Sequence, residues 1–193
     1  MAKTYPLTER MRAEYLDLFE TCRVTKNPEE VDDMAARIAS NETRYRGVSD
    51  PFGIPWYVVG LIHAMEASLN FTRHLHNGDP LTARTVNVPK GRPKTGKPPF
   101  TWEQSARDAL RYDGFDKVGD WSLTSTLYQL ERYNGFGYRA HGINTPYLWS
   151  FSNHYTRGKY TSDGQFDANV VSKQIGAAVL LRRMVDGGFV QLT

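Results

Sequence analysis

Residues 63–82 read HAMEASLNFTRHLHNGDPLT, and the chain on either side takes its meaning from them. Upstream, residues 55–69 (PWYVVGLIHAMEASL) open on a proline and carry Val58, Val59, Leu61, Ile62, Met65 and Leu69 with almost nothing polar. A helix apolar on most sides belongs in the middle of a domain. Glu66 lies on its apolar stripe, in line with Val59, Ile62 and Leu69. Desolvation there disfavours the carboxylate, so a raised pKa and an available proton are expected. His63 one turn earlier and Asn70 one turn later are the local groups that would satisfy a purely structural glutamate. Downstream, Asn77-Gly78 and Asp79-Pro80 are turn signals, and Asp79 has a local reason to be there as well.

The flanking chain is helical. Residues 8–24 place Met11, Tyr15, Leu18, Phe19 and Cys22 at helical spacing. Asn27-Pro28 opens a second helix, with Glu29 and Glu30 in its first turn, running to about Tyr45. Residues 70–99 are broken by prolines and glycines, with β-branched pieces such as TARTVNV. One or two short strands around a turn are expected, then a basic loop, KGRPKTGKPP, read as a solvated, mobile flap, with steering of an acidic polymer as the alternative. Helices resume at Thr101, where Thr-x-x-Gln has the form of a capping box, and again over 120–132. After an aromatic, glycine-rich stretch, VVSKQIGAAVLLRRM forms a last helix ending at Gly187-Gly188. The expected fold class is mainly α (α+β), with one small β-hairpin beside the helix that bears Glu66.

Bulk properties set the frame. The 193 residues suit one domain, with residues 1–50 as N-terminal helices and 51–193 as the core carrying the chemistry. Hydrophobic content of 40% and charged content of 23% exclude wholesale disorder. A net charge of +3 is compatible with an anionic polymer and too small to indicate nucleic acid. Cys22 is the only cysteine, so no internal disulfide framework exists. The N-terminal stretch has no apolar h-region and no run approaches the ~18 apolar residues of a membrane span. A monomer made in the cytoplasm without a Sec signal, and needing no cofactor, is expected.

If the Asp79 segment folds back on the end of the Glu66 helix, two carboxyls face each other across a groove. That is the arrangement of an inverting glycosidase, in which one acid protonates the leaving oxygen and the other activates water. At this point the residues resemble the lysozyme-like superfamily, which includes goose-type and phage-type lysozymes and lytic transglycosylases. MEASLNF is similar to the Glu-Ser-x-x-Asn-Phe segment that ends the catalytic helix, with an alanine inserted between Glu66 and Ser68. The Glu66–Asp79 spacing resembles that of goose-type enzymes, and Asp79-x5-Thr85 the phage-type element holding the attacking water. LERYNGFGY resembles the Tyr-Asn-Ala-Gly motif along the sugar groove. The Gly-Leu-Met-Gln run of typical transglycosylases is absent after the glutamate, which leans the reading toward hydrolysis.

The resemblance implies a lysozyme-like domain and a peptidoglycan muramidase, plausible as a phage-type endolysin that reaches the wall after release. It implies that the chain cuts the β-1,4 bond between N-acetylmuramic acid and N-acetylglucosamine. Glu66 would be the acid and Asp79 the base, with Thr85 orienting water. Tyr133, Asn134, Tyr138, Tyr147 and Trp149 would line the sugar subsites, or pack in the core as aromatics commonly do. Glu131 and Asp163 are reserve carboxylates. Three competing readings stand beside this one: transglycosylation of the same bond, a zinc-dependent wall peptidase through His74 and His76, and a wall-binding protein without catalysis.

Overall fold

The computed structural model describes residues 5–162 and 164–192. Its helices, in chain order, are α1 (Glu9–Glu20), α2 (Pro28–Ser40), α3 (Glu42–Ser49), α4 (Trp56–Ala67), α5 (Trp102–Tyr112), α6 (Leu123–Asn134), α7 (Pro146–Trp149) and α8 (Ala177–Asp186). Two strands, β1 (Lys159–Ser162) and β2 (Gln165–Asp167), pair as an antiparallel hairpin. The fold class is therefore mainly α with one small antiparallel hairpin. The chain divides into two compact units, residues 1–36 with 122–193 and residues 37–121.

The unit of residues 37–121 is built on α4. Val58, Val59, Leu61 and Ile62 are fully or almost fully buried; α3 packs beside the helix and α5 against α3. Gly60 makes the close approach possible, because a Cβ there would lie 2.5 Å from Ile38 Cγ2 and 3.1 Å from the Tyr45 ring. Helix α5 starts with the complete capping box. The Thr101 hydroxyl accepts from Gln104 N–H, and the Gln104 side chain accepts from Thr101 N–H.

Two expectations need correction in this unit. The second helix does not continue to Tyr45 but breaks at Asn41, where α3 begins. Residues 70–99 form no regular strands; a single Arg73–Pro80 bridge is all the pairing they make. Their backbone is satisfied by local turn bonds and by side chains such as Asp79 and Thr85, and Pro80, Pro89, Pro93, Pro98 and Pro99 have no N–H to offer a ladder. The hairpin occurs in the other unit, at 159–167.

In that other unit, α1 packs on α6, and α7 on both α6 and α8. Tyr15, Phe19, Leu127, Leu130, Leu148, Trp149, Leu180 and Met184 form its core. Helix α8 begins seven residues later than the apolar pattern from Val170 predicts. Gly176 lies directly before it, and a Cβ there would be 2.2 Å from the Leu148 carbonyl oxygen. The chain crosses the α7 backbone at this glycine and can turn helical only afterwards.

Candidate active site

Eleven of the twelve residues of α4 are buried, and Glu66 alone keeps partial access to solvent. It occupies the last turn. Ser68 and Leu69 follow it with φ of 50° and 61°, two consecutive left-handed non-glycine residues. Such a pair costs about 1–2 kcal/mol per residue and is held in place only by surrounding structure. Gly78, also left-handed at φ 73°, lies against this end of the helix: its Cβ would be 2.5 Å from the Glu66 carbonyl oxygen. The Asn77-Gly78 turn is therefore seated on the backbone of the glutamate, and Asp79 leaves it at once.

Asp79 is 7% exposed. Its Oδ2 accepts the backbone N–H groups of Val86 (2.8 Å) and Asn87 (2.9 Å), and its Oδ1 accepts from the Asn87 amide at 2.7 Å. Burial by itself would raise its pKa, but the hydrogen bonds from Asn87 and Val86 outweigh that. They hold the carboxyl below the usual carboxylate range. Asn77 donates to the Asn87 and Val88 carbonyls from the other side. Thr85 is buried; its hydroxyl donates to the Pro89 carbonyl and accepts Arg92 N–H at 2.9 Å.

This revises the expected division of labour. A base for water needs a pKa near the working pH and a free oxygen, and a water-orienting hydroxyl needs its proton. Asp79 and Thr85 instead fold the 85–92 loop beside the glutamate.

The two histidines are likewise engaged. His74 Nδ1 meets Ser105 Oγ and its Nε2 meets the Ala83 carbonyl, each at 2.8 Å. His76 Nε2 lies 2.8 Å from Asp108 Oδ2, with Ser105 Oγ 3.4 Å from Nδ1. Arg92 grips the same carboxylate through Nε at 2.8 Å and Nη2 at 2.7 Å. Burial pushes the His76 pKa down to about 4 against the pull of Asp108, so the ring is neutral near pH 7. No group of three metal-ligating side chains occurs among the described residues. The pair orders the turn against α5 and gives the zinc reading no ligand set. Ser105 and Asp108 were not anticipated, although their i,i+3 spacing on α5 puts both on one face.

Around His63 the unit holds an aromatic cluster. Its ring is 4.5 Å from Phe71 and 4.9 Å from Trp102, and Tyr45 Oη lies 3.1 Å from Nδ1. Burial lowers the His63 pKa to about 4 as well.

The five expected sugar-contacting residues belong to the other unit, and they divide. Asn134 is exposed and Tyr138 buried, and together with Lys159, Tyr160 and Thr161 they line a cavity of about 550 Å³. Tyr138 Oη accepts Tyr160 N–H at 3.2 Å. Tyr133 is half-buried, 6.4 Å from the buried ring of Tyr147. Trp149 is 1% exposed and lines a separate cavity of about 360 Å³ with Glu131 and Arg139. Tyr147 and Trp149 serve the core: indole and phenol so enclosed have no face to stack on a sugar.

Glu131 is no acid in reserve. Arg139 holds it through two bonds of 2.8 Å, Tyr15 donates to it at 2.6 Å, and Glu14 takes the third Arg139 bond at 2.9 Å. Asp163 lies outside the described residues. Neither protein-family models, nor curated proteins, nor solved structures gave a match to this chain.

Proposed function

We propose that the protein is a peptidoglycan muramidase in which Glu66 protonates the glycosidic oxygen between N-acetylmuramic acid and N-acetylglucosamine. One observation carries the reading. On a helix whose other eleven residues are buried, the one partly exposed residue is a carboxylic acid, and the backbone on its C-terminal side is held in left-handed geometry. Partial desolvation at such a border favours the protonated acid, while the remaining access lets it reach a ligand. A passive wall binder has no need of that acid.

The engagement of Asp79 and Thr85 favours a second reading of the same cleavage, lytic transglycosylation. There Glu66 protonates the leaving oxygen and then takes a proton back as the muramyl 6-hydroxyl closes on the anomeric carbon, so no water and no second carboxylate are required. Inverting hydrolysis requires Asp79 to release at least one of its loop hydrogen bonds.

Digestion of purified peptidoglycan with mass analysis of the products tests both. A reducing muramic acid end supports hydrolysis, a 1,6-anhydro end supports transglycosylation, and cut stem peptides on intact glycan overturn both. Glu66→Gln is expected to abolish glycan cleavage with the fold retained, and an active variant refutes the assignment.

A further inference from the structure

We infer that the loop 84–97 is a rigid arm that recognises the carboxylate-bearing stem peptides of peptidoglycan beside the cleavage point, so that the substrate is peptide-substituted glycan and not bare polysaccharide. The inference rests on the muramidase reading of Glu66. The loop contains no regular strand or helix, yet it is braced along its length. Asp79 binds Val86 and Asn87, and Thr85 binds Pro89 and Arg92. Thr85 and Arg92 also exchange a backbone bond of 2.9 Å, Arg92 is clamped bidentately to Asp108, and Arg84 donates to the Gly96 carbonyl at 2.7 Å.

What this bracing presents is unusual. Val86 is 67% exposed and Val88 80% exposed, the two most exposed large apolar side chains among the described residues. Lys90, Lys94 and Lys97 are exposed as well, and none forms an ion pair among the described residues. A buried carboxylate and a buried hydroxyl thus brace a loop that carries two exposed valines and three exposed lysines without an ion pair among the described residues. Folding alone gains nothing from that exposure, whereas a ligand with methyl groups and carboxylates gains from both.

Position identifies the ligand class. The arm is rooted at Asp79, one residue after the turn seated on the Glu66 carbonyl. In the polymer the stem peptide hangs from the muramic acid lactyl group, on the sugar whose glycosidic bond is cut. It carries alanine methyls and several free carboxylates. A loop that leaves the turn seated on the Glu66 backbone is placed to meet that peptide when the scissile bond is bound at Glu66. An anionic membrane is the weaker match, because two valines bury too little to hold a protein at a bilayer even with a short basic patch.

The test measures sedimentation binding of Glu66→Gln protein, which cannot digest its ligand, to three probes. These are sacculi freed of teichoic acid, the same glycan stripped of peptides by an amidase, and phosphatidylglycerol vesicles. Binding to intact sacculi is expected to be about tenfold tighter than to stripped glycan, the scale of three exposed ion pairs lost together. Added salt should narrow the gap.

Lys90→Gln/Lys94→Gln/Lys97→Gln and, separately, Val86→Ser/Val88→Ser in that background should remove the preference while leaving the thermal melt unchanged. Equal affinity for intact and stripped glycan overturns the inference, and so does binding to vesicles that the same substitutions abolish. The two proposals fail separately. Active protein that cuts stripped and intact glycan at equal rates sinks the arm alone, and protein that prefers intact sacculi but cuts no glycan sinks the muramidase reading alone.

Discussion

Glu66 and Asp79 are two carboxylates in one unit, and a pair of isosteric substitutions separates their roles. Glu66 stands at the solvent border of a buried helix, whereas Asp79 carries three loop hydrogen bonds. Asp79→Asn replaces a charged acceptor with an amide that offers one acceptor oxygen to donors from Val86 and Asn87, so a stability loss of about 1–3 kcal/mol is expected. Measured per folded molecule, its glycan cleavage should fall far less than that of Glu66→Gln. A loss as complete as that of Glu66→Gln returns Asp79 to the role of base and the reaction to inverting hydrolysis. Urea melts and product release assayed on the same preparations decide between these.

At the scale of elements, the end of α4 is the strained point. Ser68 is exposed and left-handed, so its side chain gives up no packing when removed and its Cβ carries the steric penalty. Ser68→Gly is expected to raise stability by up to about 1 kcal/mol, read as a higher urea midpoint with unchanged slope. A lower midpoint would mean that the strain lies elsewhere.

The same region shows what the chain reveals in sequence and what it hides. Helix α4, its lone acid and the α5 capping box are local patterns, visible as periodicity and as Thr-x-x-Gln. The loop after α4 is different, because it is organised by bonds from Asp79 to residues 86 and 87, from Asn77 to 87 and 88, and from Arg92 to Asp108. Alternation of β-branched residues in TARTVNV looks like a strand only until those partners are known. The enclosure of Trp149 and the Arg139–Glu131 pair follow from packing of α1, α6 and α7, which one-dimensional spacing does not encode.

For the molecule as a whole, the unit of residues 37–121 concentrates groups that make the fold sensitive to acid. His63 and His76 are both buried and held neutral, with pKa values lowered to about 4 from an ordinary 6.5. In the unfolded chain each takes up a proton as the pH falls through about 6.5, while in the folded chain neither does until about 4. Between those values the unfolded state binds more protons, so stability rises with pH across the window and is lost on acidification. Each histidine accounts for on the order of 3 kcal/mol when its shift is fully expressed. Asp79 acts in the same direction lower down. Its depressed pKa stabilises the fold above the ordinary carboxylate range, and that contribution disappears as the pH falls through the folded-state value.

The urea midpoint should therefore be nearly level above pH 7, drop steeply between pH 6.5 and 4.5, and drop again below about pH 4. Replacing His63 with phenylalanine, which suits the ring cluster of Tyr45, Phe71 and Trp102, removes one titrating group and should flatten the first drop. An unchanged slope in that variant, or a wild-type midpoint indifferent to pH over this range, would mean that these rings are not held neutral by burial.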